Sequence, residues 1–219
     1  MERVLEPELM DDEQQSIAYA RADFSSSNQF FVDGLINDFA RPLTTAVDIG
    51  CGPGDVMIRL ARALPDLHIT AIDASAPMIT LARAAVMTEG LSDRIELVQG
   101  YVPGVALKAH SFDAVLSKDL LHHVPDPSVL WKEIARLGRP GAVVYVMDLV
   151  RPPTPEEAHQ IVDRVAASED PILREDFYKS LCAAFTVDEL RAQVAAAGLD
   201  LGVRQASDRH ALISGVTSP

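Results

Sequence analysis

The sequence predicts an α/β fold in which helices cover both faces of a seven-stranded sheet, mostly parallel with an antiparallel last strand. Two observations carry this prediction. Short β-branched or apolar runs alternate with helical patterns from residue 45 onward, and a glycine-rich turn follows the first of these runs. Because parallel neighbours need crossover connections, such alternation indicates a doubly wound, largely parallel sheet. We expect the 219 residues to form a single domain.

Composition and charge narrow the class of protein. Hydrophobic residues make up 48% and charged residues 23% of the chain, which is typical of a globular protein with a buried core. The formal net charge of −13 argues against a nucleic-acid partner, because such proteins need a basic surface.

The cysteines and the first residues of the chain indicate the cellular compartment of the protein. Cys51 and Cys182 have no disulfide or metal-ligand spacing, so we expect no metal site and a reducing, cytoplasmic setting. The first residues are acidic and contain no apolar run. We therefore expect neither a secretory signal nor a membrane span.

Residues 1–43 are predicted to form a helical lid. A first helix over residues 11–24 is followed by an expected break at Ser25 to Asn28. A second helix then carries Phe31, Leu35 and Phe39 at spacings of four, which gives one apolar stripe. Pro42 is expected to end it.

The alternating α/β core is assigned to residues 44–151. Its predicted strands cover residues 45–49, 68–72, 95–98, 112–117 and 142–150, and its predicted helices cover residues 55–64, 77–90 and 128–137. The fifth run is apolar almost throughout, which suits a strand covered on both faces.

The remaining residues complete the predicted domain. A helical insertion is predicted over residues 152–185. Residues 186–219 should hold a helix and a final strand pair, at 199–206 and 210–216. Thr186 and Glu189 form a capping-box pattern at the start of that helix.

The most informative segment is the loop that follows the first strand. Gly50, Gly52 and Gly54 alternate with other residues and open a helix, so backbone N–H groups can approach a ligand closely. Asp73 ends the second strand about 20 residues later, where an acid can accept both hydroxyls of a ribose. A ligand-free turn and a helix-capping Asp are the plainer explanations. The glycine spacing differs from the Gly-x-Gly-x-x-Gly fingerprint of NAD-binding proteins.

This loop, with Asp48 before it, resembles motif I of class I S-adenosylmethionine-dependent methyltransferases. Asp73 matches the ribose-binding acid of that family, and the resemblance continues in order along the chain. The segments that carry it further are residues 73–78, 111–115, 121–124, 137–142 and 185–190. The chain looks closest to the small-molecule branch that includes quinone-biosynthesis enzymes. The resemblance implies a Rossmann-like fold, S-adenosylmethionine as cofactor and methyl transfer to a small-molecule acceptor.

The resemblance also implies which residues contact the cofactor. These are Asp48, Gly50, Gly52, Gly54, Asp73, Ala74, Met78, Tyr101, Val102, Ser117 and Lys118. One departure lies after the third strand, where the family commonly has Gly-Asp-Ala and this chain has Gly-Tyr-Val. Tyr101 cannot offer a carboxylate to adenine, but it could stack on the base or use its hydroxyl.

Candidates for catalysis and acceptor binding are less specific. His122 and His123, with Asp119 nearby, are candidates for accepting a proton from the acceptor, because imidazole titrates near neutral pH. A structural role for either histidine is the alternative. Tyr19 and Arg21 in the lid are candidates for contact with the substrate, against the alternative of a plain surface helix.

Two other functions stay open at this level. The chain could bind S-adenosylmethionine or S-adenosylhomocysteine as a sensor without methylating anything, or it could use another nucleotide cofactor. The sequence does not fix the oligomeric state, with a homodimer as one option.

Overall fold

The computed structural model describes residues 1–6 and 13–218. Helices and strands alternate through most of the described chain, as the sequence predicts. In chain order the elements are α1 (Glu13–Arg21), α2 (Ser25–Asp38), β1 (Thr45–Ile49), α3 (Asp55–Ala63), β2 (His68–Asp73), α4 (Ala76–Thr88), β3 (Ile95–Gln99), β4 (Phe112–Lys118), a 3₁₀ helix (Leu121–His123), α5 (Ser128–Leu137), β5 (Gly138–Leu149), α6 (Pro155–Val165), α7 (Pro171–Ala183), α8 (Val187–Ala196), β6 (Leu201–Gln205) and β7 (His210–Val216).

The seven strands form one sheet in the order β3-β2-β1-β4-β5-β7-β6. Every pair from β3 across to β5 is parallel, whereas β7 runs antiparallel to both β5 and β6. The predicted fold class is therefore confirmed, including the antiparallel last strand. Strand order reverses direction between β1 and β4, and in open α/β sheets this is where ligands bind.

Two apolar cores cover the two faces of the sheet. On one face α2, α3 and α4 pack against it, with Phe31, Leu60 and Tyr145 almost fully buried. On the other face α5 and α8 pack against Val47 and Val144. Residues 142–149 of β5 are all buried, so the prediction of a strand covered on both faces is confirmed.

Three predicted boundaries need correction. The break expected at Ser25 to Asn28 is wrong, because Ser25 begins α2 and the chain turns just before it. The Asp23 carboxylate accepts a hydrogen bond from the Ser25 backbone N–H at 2.9 Å, which satisfies a donor that the first helical turn would leave free. The first helix ends at Arg21 rather than at residue 24, and β5 starts earlier than predicted, at Gly138. The predicted helical insertion is present as two helices, α6 and α7. Residues 11 and 12 of the predicted first helix lie outside the described residues.

The chain's first six residues, here called the strap, lie beside α7 and the 3₁₀ helix. The Val4 N–H donates to the carbonyl of Cys182 at 3.1 Å, and the Arg3 guanidinium donates to the carbonyl of His122 at 2.9 Å. The same guanidinium stacks 3.8 Å from the centre of the Phe185 ring. The strap is thereby held against the end of the sheet where β4 and β5 finish.

Among the helices of the described part, none combines the length and the apolar character needed to cross a bilayer.

Candidate active site

A cavity of about 540 Å³ opens at the carboxyl ends of β1, β2 and β4, at the point where strand order reverses. The glycine loop forms one end of it. The 3₁₀ helix and α7 form the other end, and α1 lies across the loop. A cavity of this size can hold a cofactor-sized molecule.

The glycine loop turns sharply because all three of its glycines adopt backbone angles that other residues rarely adopt. Gly50 has φ +77° and backs onto the Leu120 side chain, so a Cβ there would lie 2.9 Å from it. Gly52 has φ +52°, and a Cβ there would meet only the Tyr19 ring, at 4.0 Å. Gly52 therefore presents bare backbone to the cavity, which leaves room for a ligand in close contact.

Asp73 links the end of β2 to the glycine loop. One carboxylate oxygen accepts the Gly52 N–H at 2.8 Å, and the other accepts the Ser75 N–H at 2.9 Å. A carboxylate can accept about four hydrogen bonds through its two oxygens, so this type of group suits two neighbouring hydroxyls of a ligand. The side chain lines the cavity, and the chemistry of the site therefore suits a ribose diol.

Asp48, at the base of the loop, is almost completely buried. Burial and the neighbouring Asp73 carboxylate raise the pKa of Asp48 to about 7, against the opposing effect of Lys118. A carboxyl group poised near neutrality beside the cavity gains a favourable interaction when a cation binds next to it. This group fits a ligand that carries an ammonium or a sulfonium.

The remaining predicted cofactor residues divide into two groups. Ala74, Met78, Tyr101, Val102 and Lys118 line the cavity together with Asp48, Gly50, Gly52 and Asp73. Tyr101 is 50% exposed, at the mouth. Among the described residues, Gly54 and Ser117 stand outside the wall. Gly54 precedes the first turn of α3, and the Ser117 hydroxyl donates to the Ile49 carbonyl at 2.8 Å.

The two substrate candidates in α1 differ in position, because Tyr19 lines the cavity and Arg21 does not. Tyr19 covers the glycine loop and stacks against Phe24, with ring centres 4.7 Å apart. Burial, with nearby carboxylates such as Asp119, raises the pKa of the Tyr19 phenol, which therefore stays protonated. Arg21 is exposed, and it is not among the described residues that line the cavity.

His122 and His123 belong to a compact polar cluster at the far end of the cavity. The His122 ring is buried, and its Nδ1 lies 2.7 Å from the Asp148 carboxylate, whose other oxygen accepts the Leu121 N–H. Glu6 of the strap approaches both rings, 3.5 Å from His122 Nε2 and 3.0 Å from His123 Nδ1. Burial alone would lower the pKa of His122, but Asp148 and then Glu6 outweigh it and raise the pKa.

Asp119 stands between the two ends of the cavity in an unusual conformation. Its φ of +54° is uncommon for a residue with a side chain, and such strain clusters at functional sites. Lys118 forms an ion pair with one of its carboxylate oxygens. Within residues 1–6 and 13–218, the other oxygen has no hydrogen-bond partner, although His210 Nε2 lies 3.9 Å away.

Three residues of this site were missed by the sequence analysis. Asp148 had a readable signal, because it is the one acid within the apolar fifth run. His210 was predicted only as the first residue of the last strand, yet it lines the cavity at the start of β7. Glu6 had no signal, since only the tertiary fold brings the strap to the 3₁₀ helix.

The apolar half of the cavity comes from the insertion and from the end of β5. Leu149, Leu173 and Phe177 line it, with Asp176 and Ser180 as polar neighbours. This half lies beyond the glycine loop and beside the two histidines. The site therefore has a polar, glycine-rich end and an apolar end with imidazoles at the boundary.

Comparisons with known proteins agree with this geometry. A family profile described as "Methyltransferase domain" matches residues 47–146. The chain is 29% identical over 154 residues to 27-O-demethylrifamycin SV methyltransferase of Amycolatopsis mediterranei (strain S699), covering 70% of this chain and 53% of that protein. It is 34% identical over 110 residues to the ubiquinone biosynthesis O-methyltransferase of Xanthomonas oryzae pv. oryzae (strain PXO99A), covering 49% and 44%. The chain thus spans about half the length of the curated relatives it matches.

Solved structures agree on the fold. A SAM-dependent methyltransferase from Aquifex aeolicus superposes with a TM-score of 0.71 at 17% identity, covering 94% of this chain and 98% of that one. At this identity the likeness establishes the fold alone. Residues 47–146 are thus similar to the methyltransferase-domain family, and the chain has the fold of S-adenosylmethionine-dependent methyltransferases.

Proposed function

We propose that this chain transfers the methyl group of S-adenosylmethionine to a small-molecule acceptor. The observation that carries the proposal is the meeting of Gly52, Asp73 and Asp48 at one end of a cavity whose other end is apolar and bordered by imidazoles. The first end suits the cofactor, and the second end suits an acceptor.

Each part of the cofactor has a partner in the proposed site. The bare backbone at Gly50 and Gly52 holds the methionine moiety, and Asp48 supports its ammonium. Asp73 accepts the ribose hydroxyls. Tyr101 and Val102 border the adenine, where the exposed phenol ring of Tyr101 can stack on the base. We assign Ala74 and Met78 to the adenosine side and Lys118 to the methionine side.

Two predicted residues act indirectly in this proposal. Gly54 shapes the first turn of α3, and Ser117 braces the end of β4 against β1 through its hydrogen bond to Ile49. We do not carry Arg21 into the proposal, because its side chain points to solvent.

Positioning does most of the catalytic work in this site. When bound, S-adenosylmethionine supplies a methyl group on a positively charged sulfur, and a nucleophile displaces that sulfur in line. The residues 1–43 and 152–185 enclose the acceptor, and residues 44–151 hold the cofactor. Tyr19 closes the site over the glycine loop and helps to exclude water.

His122 is the proposed proton acceptor when the acceptor carries an O–H or N–H group. Its Nδ1–H donates to Asp148, which leaves the lone pair on Nε2. The raised pKa makes Nε2 a stronger base than ordinary imidazole. His123 stacks against this ring, with centres 4.1 Å apart, and borders the cavity beside it.

Hydroxylated acceptors are the first to test, because the names of two curated relatives specify methylation at oxygen. Phenols and hydroxylated macrocycles would be incubated with protein and cofactor carrying a labelled methyl group. Incorporation of label, lost in His122→Gln, supports the proposal. Amine and carbon acceptors form the second panel.

The cofactor test is calorimetric titration with S-adenosylmethionine, S-adenosylhomocysteine and NAD. We expect binding of the two adenosyl ligands and loss of it in Asp73→Asn. The matched control is Asp93→Asn, an exposed Asp far from the cavity, which should bind as the parent does. Binding of NAD instead, or equal binding by Asp73→Asn, contradicts the proposal.

Location and assembly complete the proposal. Both cysteines are unbridged and buried, which suits a reducing compartment such as the cytoplasm. We include a homodimer in the proposal, and light scattering on the purified chain tests it. A monomer at all concentrations removes that part without affecting the site.

A further inference from the structure

Three side chains that can bind a metal meet at the far end of the cavity. Glu6, His122 and His123 each offer one ligand atom, and these atoms all lie within 4.8 Å of one another. They come from two segments that are far apart in sequence, the strap and the 3₁₀ helix. The cysteine spacing gave no sign of this cluster.

The donor set is one that proteins use for zinc. Two imidazoles and one carboxylate bind the ion in several zinc enzymes, with a fourth position left to water or a ligand. The two imidazoles also border the cavity, so an ion can enter from it and a water molecule can complete its coordination.

Asp148 supplies the hydrogen bond that a metal-binding histidine usually makes through its second ring nitrogen. It accepts the Nδ1–H of His122 at 2.7 Å, so Nε2 carries the lone pair and faces Glu6. A carboxylate behind a histidine fixes the tautomer and strengthens the imidazole as a ligand. The Ser180 hydroxyl donates to the same Glu6 oxygen at 3.0 Å and orients that carboxylate in turn.

The charges around the cluster favour a cation. Asp148 and Asp176 both lie within electrostatic reach of Glu6, and Asp119 lies within reach of His122. The strap carries two cations, and both are engaged by backbone carbonyls: the Met1 ammonium by Pro153, and the Arg3 guanidinium by His122 and Val124. The Glu6 carboxylate therefore lies close to a nitrogen of each ring, 3.5 Å from His122 Nε2 and 3.0 Å from His123 Nδ1, and a divalent cation can be bound by all three groups.

We propose that Glu6, His122 and His123 form a binding site for a divalent transition metal of the Zn²⁺ class, which ties the strap to the 3₁₀ helix. The bound ion takes the Nε2 lone pair of His122. The loaded protein therefore loses its proton acceptor and is inhibited. That consequence rests on the proposed function, whereas the binding itself does not.

The test is calorimetric titration of chelator-treated full-length protein with ZnCl₂, without cofactor or acceptor. We expect one ion per chain and a loss of affinity of at least about tenfold in Glu6→Gln and in His123→Gln. The control is His68→Gln, which removes an exposed imidazole at the start of β2 and should leave the affinity unchanged. Co²⁺ titration adds a readout, since its visible absorption reports ligand number and geometry.

Hydrogen exchange of the strap separates this site from adventitious binding. Zn²⁺ should slow amide exchange in residues 1–6 of the parent and leave it unchanged in Glu6→Gln. The proposal is overturned if Zn²⁺ does not bind, or if it binds the parent, Glu6→Gln and His123→Gln with equal affinity. Hydrogen bonds and ion pairs, without a metal ion, would then join the three side chains. Because no cofactor is present, failure of the methyltransferase proposal cannot produce either result.

Discussion

Asp48 is the residue whose ionisation should be linked most directly to cofactor binding. Burial and Asp73 raise its pKa to about 7, from an ordinary value near 4. Between those two pH values the folded state holds a proton that the unfolded state has lost. The unligated protein should therefore lose stability as pH rises through that interval, and no further change from this group is expected above it.

Binding of the cofactor should favour the ionised form of Asp48 over the protonated form. A cation beside Asp48 stabilises the carboxylate, so binding below about pH 7 must release a proton. We expect the affinity for S-adenosylmethionine to rise from pH 6 to pH 8 and then level off. Calorimetry in buffers of different ionisation enthalpy measures the released proton directly. Asp48→Asn should bind more weakly and show neither effect, and a pH-dependent affinity that persists in this variant would rule out Asp48 as its source.

The second prediction at the scale of single residues concerns the hydrogen-bonded pair of His122 and Asp148. Proton transfer by a positioned side chain contributes about 10²- to 10⁴-fold to rate, so His122→Gln should lower kcat by about 10²-fold or more on a hydroxyl acceptor. Asp148→Asn should also lower kcat, because it no longer fixes the ring tautomer. Steady-state kinetics and cofactor titration together check this. Cofactor affinity should be unchanged, and a combined loss of kcat and cofactor binding would indicate a structural role instead.

Among the elements, α8 offers the clearest stability test. Thr186 accepts the Glu189 N–H at 3.2 Å, and the Glu189 carboxylate accepts the Thr186 N–H at 2.7 Å. This capping box was predicted from sequence and is confirmed. Thr186→Ala should lower the free energy of unfolding by about 1 kcal/mol, measured by urea denaturation. Thr88→Ala, at the exposed end of α4, is a control whose side chain caps no N-terminus.

Local sequence signals explain why most elements were predictable and why one break was not. The capping box and the apolar fifth run each act over a few residues, and both are present in the structure. Ser25 to Asn28 were interpreted as a break because serine and asparagine favour turns. The same residues also favour the first turn of a helix, and Asp23 decides between the two outcomes.

At the scale of the whole molecule, the mostly parallel seven-stranded sheet was predictable but the far end of the cavity was not. The alternation of strands and helices predicts a parallel sheet, and the glycine loop indicates that the strand before it is the first strand of that sheet. Glu6, His122 and Asp148 meet only because the strap crosses to the ends of β4 and β5. Nothing in a linear sequence reports such a contact, so the sequence analysis named the two histidines but not the carboxylates beside them. The assignment of the cofactor-contacting residues remains a prediction.

The cavity lies between the core and its helical covers, so a ligand there should stabilise the whole chain. S-adenosylhomocysteine at 100 times its dissociation constant should add about 2.7 kcal/mol, which for a chain of this size raises the unfolding midpoint by about 5–10 °C. Differential scanning calorimetry over a series of ligand concentrations checks this, and the midpoint should keep rising with concentration. Asp73→Asn should show little shift at the same concentrations, whereas Asp93→Asn should match the parent. A full shift in Asp73→Asn would mean that the ligand binds somewhere other than the glycine loop.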